Sequence, residues 1–289
     1  MAKWTGKSRG NVWGYRIVLW FLKIFGLGTS YFLVRLISLY YFLFDAKPRE
    51  VILRFYQDHL GYSFSEARKL CRENFYFLAQ SILDRLALNL KQAPEITYTE
   101  SGQEQLIHLG RSGEGGILFS AHLGNWDIAG SLLQDLDLPV NVVMLANEQE
   151  KIQKFLDQIG SKPHFTIIPI QEDLSHLVQI YQALKRKELV CINADRFMAG
   201  SKLLKLPFLK GEADFPEGPF ALAAKLKVKY SFVTTVKTGK FTYHFTATPP
   251  KIADGHPAAI AQEYVEELER NVKKYPTQWF NYYDFFQSS

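Results

Sequence analysis

The chain has 289 residues, 47% of them hydrophobic and 22% charged, with a formal net charge of +5. That is enough apolar material for one large core, alone or with an appendage, and no internal repeat or low-complexity segment interrupts it. The charge excess is local: residues 1–44 hold Lys3, Lys7, Arg9, Arg16, Lys23 and Arg35 and no Asp or Glu, whereas the other 28 basic residues face 29 acidic ones. This excludes a nucleic-acid footprint, which needs a basic face on the body of a domain, and points to attraction to an anionic membrane surface. Aromatic content is high at 15%, more than a core of this size uses, and the surplus suits a headgroup region. Cys71 and Cys191 stand far apart in apolar surroundings. They read as reduced buried thiols of a cytoplasmic compartment.

Residues 13–44 form an almost unbroken apolar and aromatic stretch, interrupted by Lys23, Arg35 and the run Gly26-Leu27-Gly28-Thr29-Ser30. Its longest uncharged run is 11 residues, short of the ~20 that span hydrocarbon, and it has no small-residue cleavage site. The pattern favours two helices bent at Gly26–Ser30 and lying at the membrane interface, with Lys23 and Arg35 snorkelling. A single tilted span is the alternative. The expected division is a membrane-attachment segment over 1–47 and a domain over 48–289, with a helical lead-in at 48–92. Pro48 opens a helix to about His59. Ser63 caps the next, with Glu66 three residues on completing a capping box, and helical spacing continues to about Leu90.

From Glu95 onward short β-type runs alternate with helical ones. Strands are predicted at 96–99, 116–121, 140–145, 165–170, 188–192, 230–236 and 241–247. Helices are predicted at 101–111, 126–135, 148–159, 173–186, 217–227 and 257–274, and an aromatic tail follows from Trp279 to Phe286. The alternation argues for a mixed α/β fold with a mostly parallel central sheet flanked by helices. The runs at 230–236 and 241–247, split by Thr238-Gly239-Lys240, read as a hairpin at its edge.

Three segments carry chemistry. In Ser120-Ala121-His122-Leu123-Gly124-Asn125-Trp126-Asp127 a buried strand ends at His122 and Asn125 caps the next helix. The first turn of that helix brings Asp127 back toward the imidazole. A base and an orienting acid without a serine or cysteine nucleophile suit direct proton removal from a substrate hydroxyl or amine. Ser120 shares a strand face with His122, but a Ser–His pair is the weaker reading. The second segment, Val190 to Asn193-Ala194-Asp195-Arg196, is another strand ending in polar residues. Arg196 would leave the same sheet edge as His122 and bind a phosphate or carboxylate, unless Asp195 and Arg196 only pair with each other. In the third, Phe215-Pro216-Glu217-Gly218-Pro219, a turn enters a helix with backbone N–H groups free to meet an anion. The remaining histidines lack metal-ligand spacing, and no phosphate loop or nucleophile elbow is present.

Behind a basic apolar N-terminus, these three segments resemble the lysophospholipid acyltransferase superfamily. Within it the chain is most similar to the bacterial lipid A biosynthesis acyltransferases of the lauroyl/myristoyl type. His122 and Asp127 match the His-x4-Asp signature, Ile192–Arg196 resembles the second block, and Phe215–Gly218 matches the third. Pro276-Thr277-Gln278-Trp279 resembles that branch's Pro-Glu-Gln-Trp ending. There are departures: that branch often carries Glu where Asp127 stands and Asp-Gln-Asp in the second block, and Pro219-Phe220 replaces a Thr-Arg found in glycerol-phosphate enzymes. The resemblance implies transfer of a fatty acyl chain to a lipid hydroxyl, with His122 and Asp127 catalytic and Asn125, Asp195, Arg196, Glu217 and Gly218 contacting substrate. It implies an acyl carrier protein or coenzyme A thioester as donor, a membrane lipid acceptor such as a lipid A precursor, and no cofactor. The place of action would be the cytoplasmic face of a bacterial inner membrane. Alternatives are the same chemistry on an aminolipid, glycolipid or polyketide-type pigment, a thioesterase, or a non-catalytic lipid-binding homologue.

Overall fold

A computed structural model describes residues 12–90, 96–111, 113–125, 128–129, 139–146, 149, 165–171, 173–198 and 200–286. Helix α1 (Val12–Phe44) is broken once, at Gly26, whose φ of 73° and ψ of 176° leave the helical region. Only glycine visits that backbone without strain, and the Ser30 hydroxyl donates to the Gly26 carbonyl across the break. The two bent helices expected from the sequence are therefore present. By length and composition α1 is able to cross a membrane. Its outer side leaves Trp20, Phe25, Phe32, Tyr40 and Phe44 exposed, while Leu22, Leu27, Tyr31 and Val34 are buried. The buried side packs on α3 (Phe64–Asn89) through Leu83, Leu86 and Ala87.

Between them, α2 (Ala46–Arg54) runs into one π-helical turn, Phe55–His59. The capping box at Ser63 and Glu66 forms as expected, opening α3. The main sheet has the order β1-β9-β8-β2-β5-β3-β4. Its strands are β1 (Thr97–Ser101), β2 (Gly116–Ser120), β3 (Val140–Leu145), β4 (Thr166–Ile170), β5 (Leu189–Asn193), β8 (Lys229–Lys237) and β9 (Thr242–Ala247). All neighbours in it are parallel except β8 and β9, and the two-residue β10 (Lys251–Ile252) adds antiparallel to β8. The hairpin of β8 and β9 is not at the edge. Strand β1 pairs parallel with β9 and covers it, a long-range pairing that local patterning does not disclose.

Helices α4 (Gln103–Arg111), α5 (Ser175–Lys185), α6 (Gly218–Leu226) and α7 (Pro257–Lys274) complete the domain. Alternate residues of β2 serve opposite faces. Ile117 and Phe119 join the core shared with α5, α6 and α7, and Leu118 joins the one shared with α4. Burial on both sides is why this strand reads as a continuous apolar run. The helices expected at 126–135 and 148–159 lie largely outside the described residues.

A second hairpin, β6 (Leu203–Phe208) with β7 (Gly211–Pro216), has no counterpart in the sequence reading. Pro207 and Pro216 weaken any strand signal, and its two-residue loop puts Leu209, not Asn or Gly, at a positive φ of 54°. The Leu209 N–H donates to Glu269 Oε2 at 2.6 Å, which holds the turn. Phe208 and Phe215 from this hairpin are fully buried against Phe285, and Phe208 also meets Trp279. Much of the aromatic surplus is thus spent inside the protein, binding an irregular tail to the domain.

Gly124 marks the tightest approach of the loop after β2. Its φ is +73°, and a Cβ there would lie 1.9 Å from the carbonyl oxygen of Thr235 on β8. Gly124→Ala adds left-handed strain of about 1–2 kcal/mol to that clash. Thermal unfolding should therefore begin at least about 3 °C lower, and an unchanged melting temperature would show that the loop does not sit this close.

Candidate active site

Strands β2 and β5 are parallel neighbours in a register that pairs Ser120 with Asn193. The chain continues in step beyond the last pair, with the Ala194 N–H donating to the Ser120 carbonyl at 3.0 Å. Two residues past each strand end, His122 and Asp195 therefore come side by side. Asp195 Oδ1 lies 2.7 Å from His122 Nδ1, and Oδ2 accepts the His122 backbone N–H at 2.9 Å. Oδ2 also accepts the indole N–H of Trp279 at 3.2 Å. Both carboxylate oxygens are thus taken by protein donors.

The Asp195 side chain is 2% exposed, and the His122 side chain 19%. A buried acid would ordinarily be pushed toward its neutral form. Here burial does raise the Asp195 carboxyl, but the charge and hydrogen bonds of His122, helped by Arg196, outweigh it and bring it down to about 2. The carboxylate is therefore charged throughout the neutral range. It fixes Nδ1 and leaves Nε2 as the ring nitrogen for chemistry. No described residue bonds Nε2.

The tail after α7 closes around this pair. The Phe280 N–H donates to the His122 carbonyl at 2.9 Å and the Gly124 N–H to the Gln278 carbonyl at 2.8 Å. Arg196 Nη2 donates to the Phe280 carbonyl at 2.9 Å. One residue, Phe280, thus bridges His122 and Arg196 through its two flanking peptide groups. The Tyr283 hydroxyl donates to the Asp195 carbonyl at 3.2 Å. Trp279 itself is wedged between Phe55, Phe208 and Phe285. Sequence alone assigns no role to Gln278, Trp279 or Tyr283. The signal available was the Pro-Thr-Gln-Trp ending, whose meaning depends on where the tail docks.

The other expected site residues are placed as follows. Asn125 is buried, its N–H donating to the Thr235 carbonyl. Its amide nitrogen donates to the Ser81 carbonyl on α3 at 3.1 Å, which turns the side chain into the fold. Glu217 pairs with Lys202 at 2.7 Å and stands at the start of α6, with Gly218 as the first helical residue. Asp127 lies outside the described residues; among the described residues the carboxylate on the imidazole is Asp195. Among the described residues no three His, Cys, Asp or Glu side chains gather as metal donors would.

A family model, bacterial lipid A biosynthesis acyltransferase, matches residues 5–286. The chain belongs to that family. Among solved structures, this acyltransferase is similar to the 1-acyl-sn-glycerophosphate (LPA) acyltransferase PlsC from Thermotoga maritima. Their TM-score is 0.38 at 12% identity, covering 86% of this chain and 96% of that one. No curated protein matches it at a significant level.

The position of Asp195 has a pH consequence. Its folded carboxyl titrates near 2, below an unfolded value of about 3.9. It therefore stabilises the fold above that unfolded value, and the contribution is lost as pH falls from about 4 toward 2. Asp195→Asn in the acyltransferase should lower unfolding free energy by about 2–3 kcal/mol at neutral pH, and the gap to the parent protein should narrow across the acid window. Equal melting of the two at pH 7 would contradict this.

Proposed function

We propose that this acyltransferase moves a fatty acyl group from an acyl thioester to a hydroxyl of a lipid A precursor at the cytoplasmic face of a bacterial inner membrane. The thioester is carried by acyl carrier protein or coenzyme A. The observation that supports the mechanism is the 2.7 Å contact between His122 Nδ1 and the sealed carboxylate of Asp195. Nε2 takes the proton of the acceptor hydroxyl as its oxygen attacks the thioester carbonyl. The imidazolium so formed is stabilised by the adjacent carboxylate. When the tetrahedral intermediate collapses, the sulfur leaves and receives the proton from Nε2, so ester and thiol are released without an acyl-enzyme.

In this reading Asp195 is a positioning residue, because both of its oxygens face protein donors. Asp127, the acid of the His-x4-Asp signature, is the alternative carboxylate for orienting the same imidazole. Arg196, tied to His122 through the backbone of Phe280, and the turn at Glu217 and Gly218 orient anionic parts of the acceptor or of the donor's phosphopantetheine. The exposed aromatic side of α1 keeps the site at the surface where a lipid acceptor and a soluble donor meet, which supplies proximity.

Purified protein in lipid bicelles, given acyl carrier protein and coenzyme A thioesters and a lipid A precursor, should form an acylated lipid detectable by mass spectrometry. His122→Ala should reduce that product at least about a thousandfold with vesicle binding retained, measured at a temperature where circular dichroism shows the destabilised variant still folded. Asp195→Asn should reduce kcat by about 10³–10⁴, the scale seen when an orienting carboxylate is neutralised. Wild-type turnover by His122→Ala would falsify the mechanism. A larger loss in Asp127→Asn than in Asp195→Asn would move the orienting role to Asp127.

A further inference from the structure

A buried cluster lies outside the reacting groups and is not used by them. Asp84 on α3 and Lys237 at the end of β8 form an ion pair of 2.6 Å with side chains 0% and 3% exposed. The Tyr31 hydroxyl, from α1, donates to Asp84 Oδ1 at 2.6 Å, and the Tyr243 hydroxyl donates to Asp84 Oδ2. Lys237 Nζ also donates to the Tyr31 oxygen at 2.8 Å and sits over the rings of Tyr31 and Tyr243 at 5.0 and 4.7 Å. Tyr31 further stacks on Phe241. An apolar set of side chains would have glued α1 to the sheet as well as this pair does, since removing two charges from water is expensive. What the cluster adds is a fixed geometry.

That geometry is connected to His122 by hydrogen bonds joined through short stretches of covalent backbone. The Lys237 backbone N–H donates to Gln278 Oε1 and the Gln278 Nε2 donates back to the Lys237 carbonyl, both at 2.8 Å. The Gln278 carbonyl accepts from Gly124, and two residues later Phe280 donates to the His122 carbonyl. The backbone of Lys237 thus holds Gln278, and Gln278 holds Gly124 in the loop after His122.

We propose that Tyr31 is a positioning residue for acyl transfer: by completing the Asp84–Lys237 pair it sets the loop that carries His122, so that correct seating of the N-terminal helix and a competent base come together. A helix that anchors the protein to lipid thereby reports its own docking to the site. The inference rests on His122 being the base.

The test is Tyr31→Phe, which deletes one oxygen and keeps the ring. In bicelles, where membrane partition is held constant, kcat should fall about tenfold with KM for donor and acceptor unchanged within about twofold. The imidazole ¹⁵N resonances of His122 should shift, since its bond to Asp195 is loosened. Gln278→Met cuts the same series nearer His122. The double variant should lose no more activity than Gln278→Met alone, because both act through one connection. Wild-type kcat in Tyr31→Phe, unshifted His122 resonances, or fully additive losses would each overturn the proposal. If His122→Ala is itself active, the reading of the base has failed instead. If His122→Ala is inactive while Tyr31→Phe is normal, only the positioning role has failed.

Discussion

The carboxylate of Asp195 is the point on which the site depends. It is a charge almost wholly removed from water, and a charge in that position persists only where its lone pairs are satisfied. Three donors do this: the imidazole and backbone of His122 and the indole of Trp279. They belong to two residues, His122 and Trp279, each distant from Asp195 along the chain. The strand end at β2, the strand end at β5 and the C-terminal tail must all be in place for the charge to be tolerated. The same requirement aligns the imidazole.

The rest of the fold can be understood as support for that arrangement. Parallel pairing of β2 with β5 sets the two strand ends level. Gly124 lets the following loop press against β8 without a side chain in the way. The tail has little regular structure beyond the short turn at Pro276–Gln278, so its position comes from rings. Trp279, Phe285 and Phe286 pack with Phe208 of a hairpin and with Phe55 of the π-helical turn. Stacked and edge-on aromatic contacts of this kind combine large buried area with defined angles.

The proposed membrane attachment and the proposed positioning of the base fall on one helix. The outer side of α1 is apolar and exposed, and its inner side brings the Tyr31 hydroxyl to a buried ion pair. The break at Gly26 separates two segments that the sequence had marked by Gly26-Leu27-Gly28-Thr29-Ser30. Burial lowers the proton affinity of Lys237 while Asp84 opposes that change. The pair is therefore held by its partners, Tyr31 and Tyr243 among them, rather than by solvent.

Periodicity, capping signals and the absence of acidic residues before Asp45 were sufficient to give the α/β alternation, the capping box at Ser63, the bent N-terminal helix and the placement of His122 just past a buried strand. These are local properties, set by side chains a few residues apart. The neighbours of each strand are not local. Covering of β9 by β1, the hairpin of β6 and β7 with leucine at a left-handed turn, and above all the adjacency of β2 and β5 arise from packing between segments far apart in the chain. The sequence places an aspartate five residues from His122, and only the register of two distant strands brings Asp195, 73 residues away, onto its ring. A hydrogen-bond partner is chosen in space, and strand order decides which strand ends share that space.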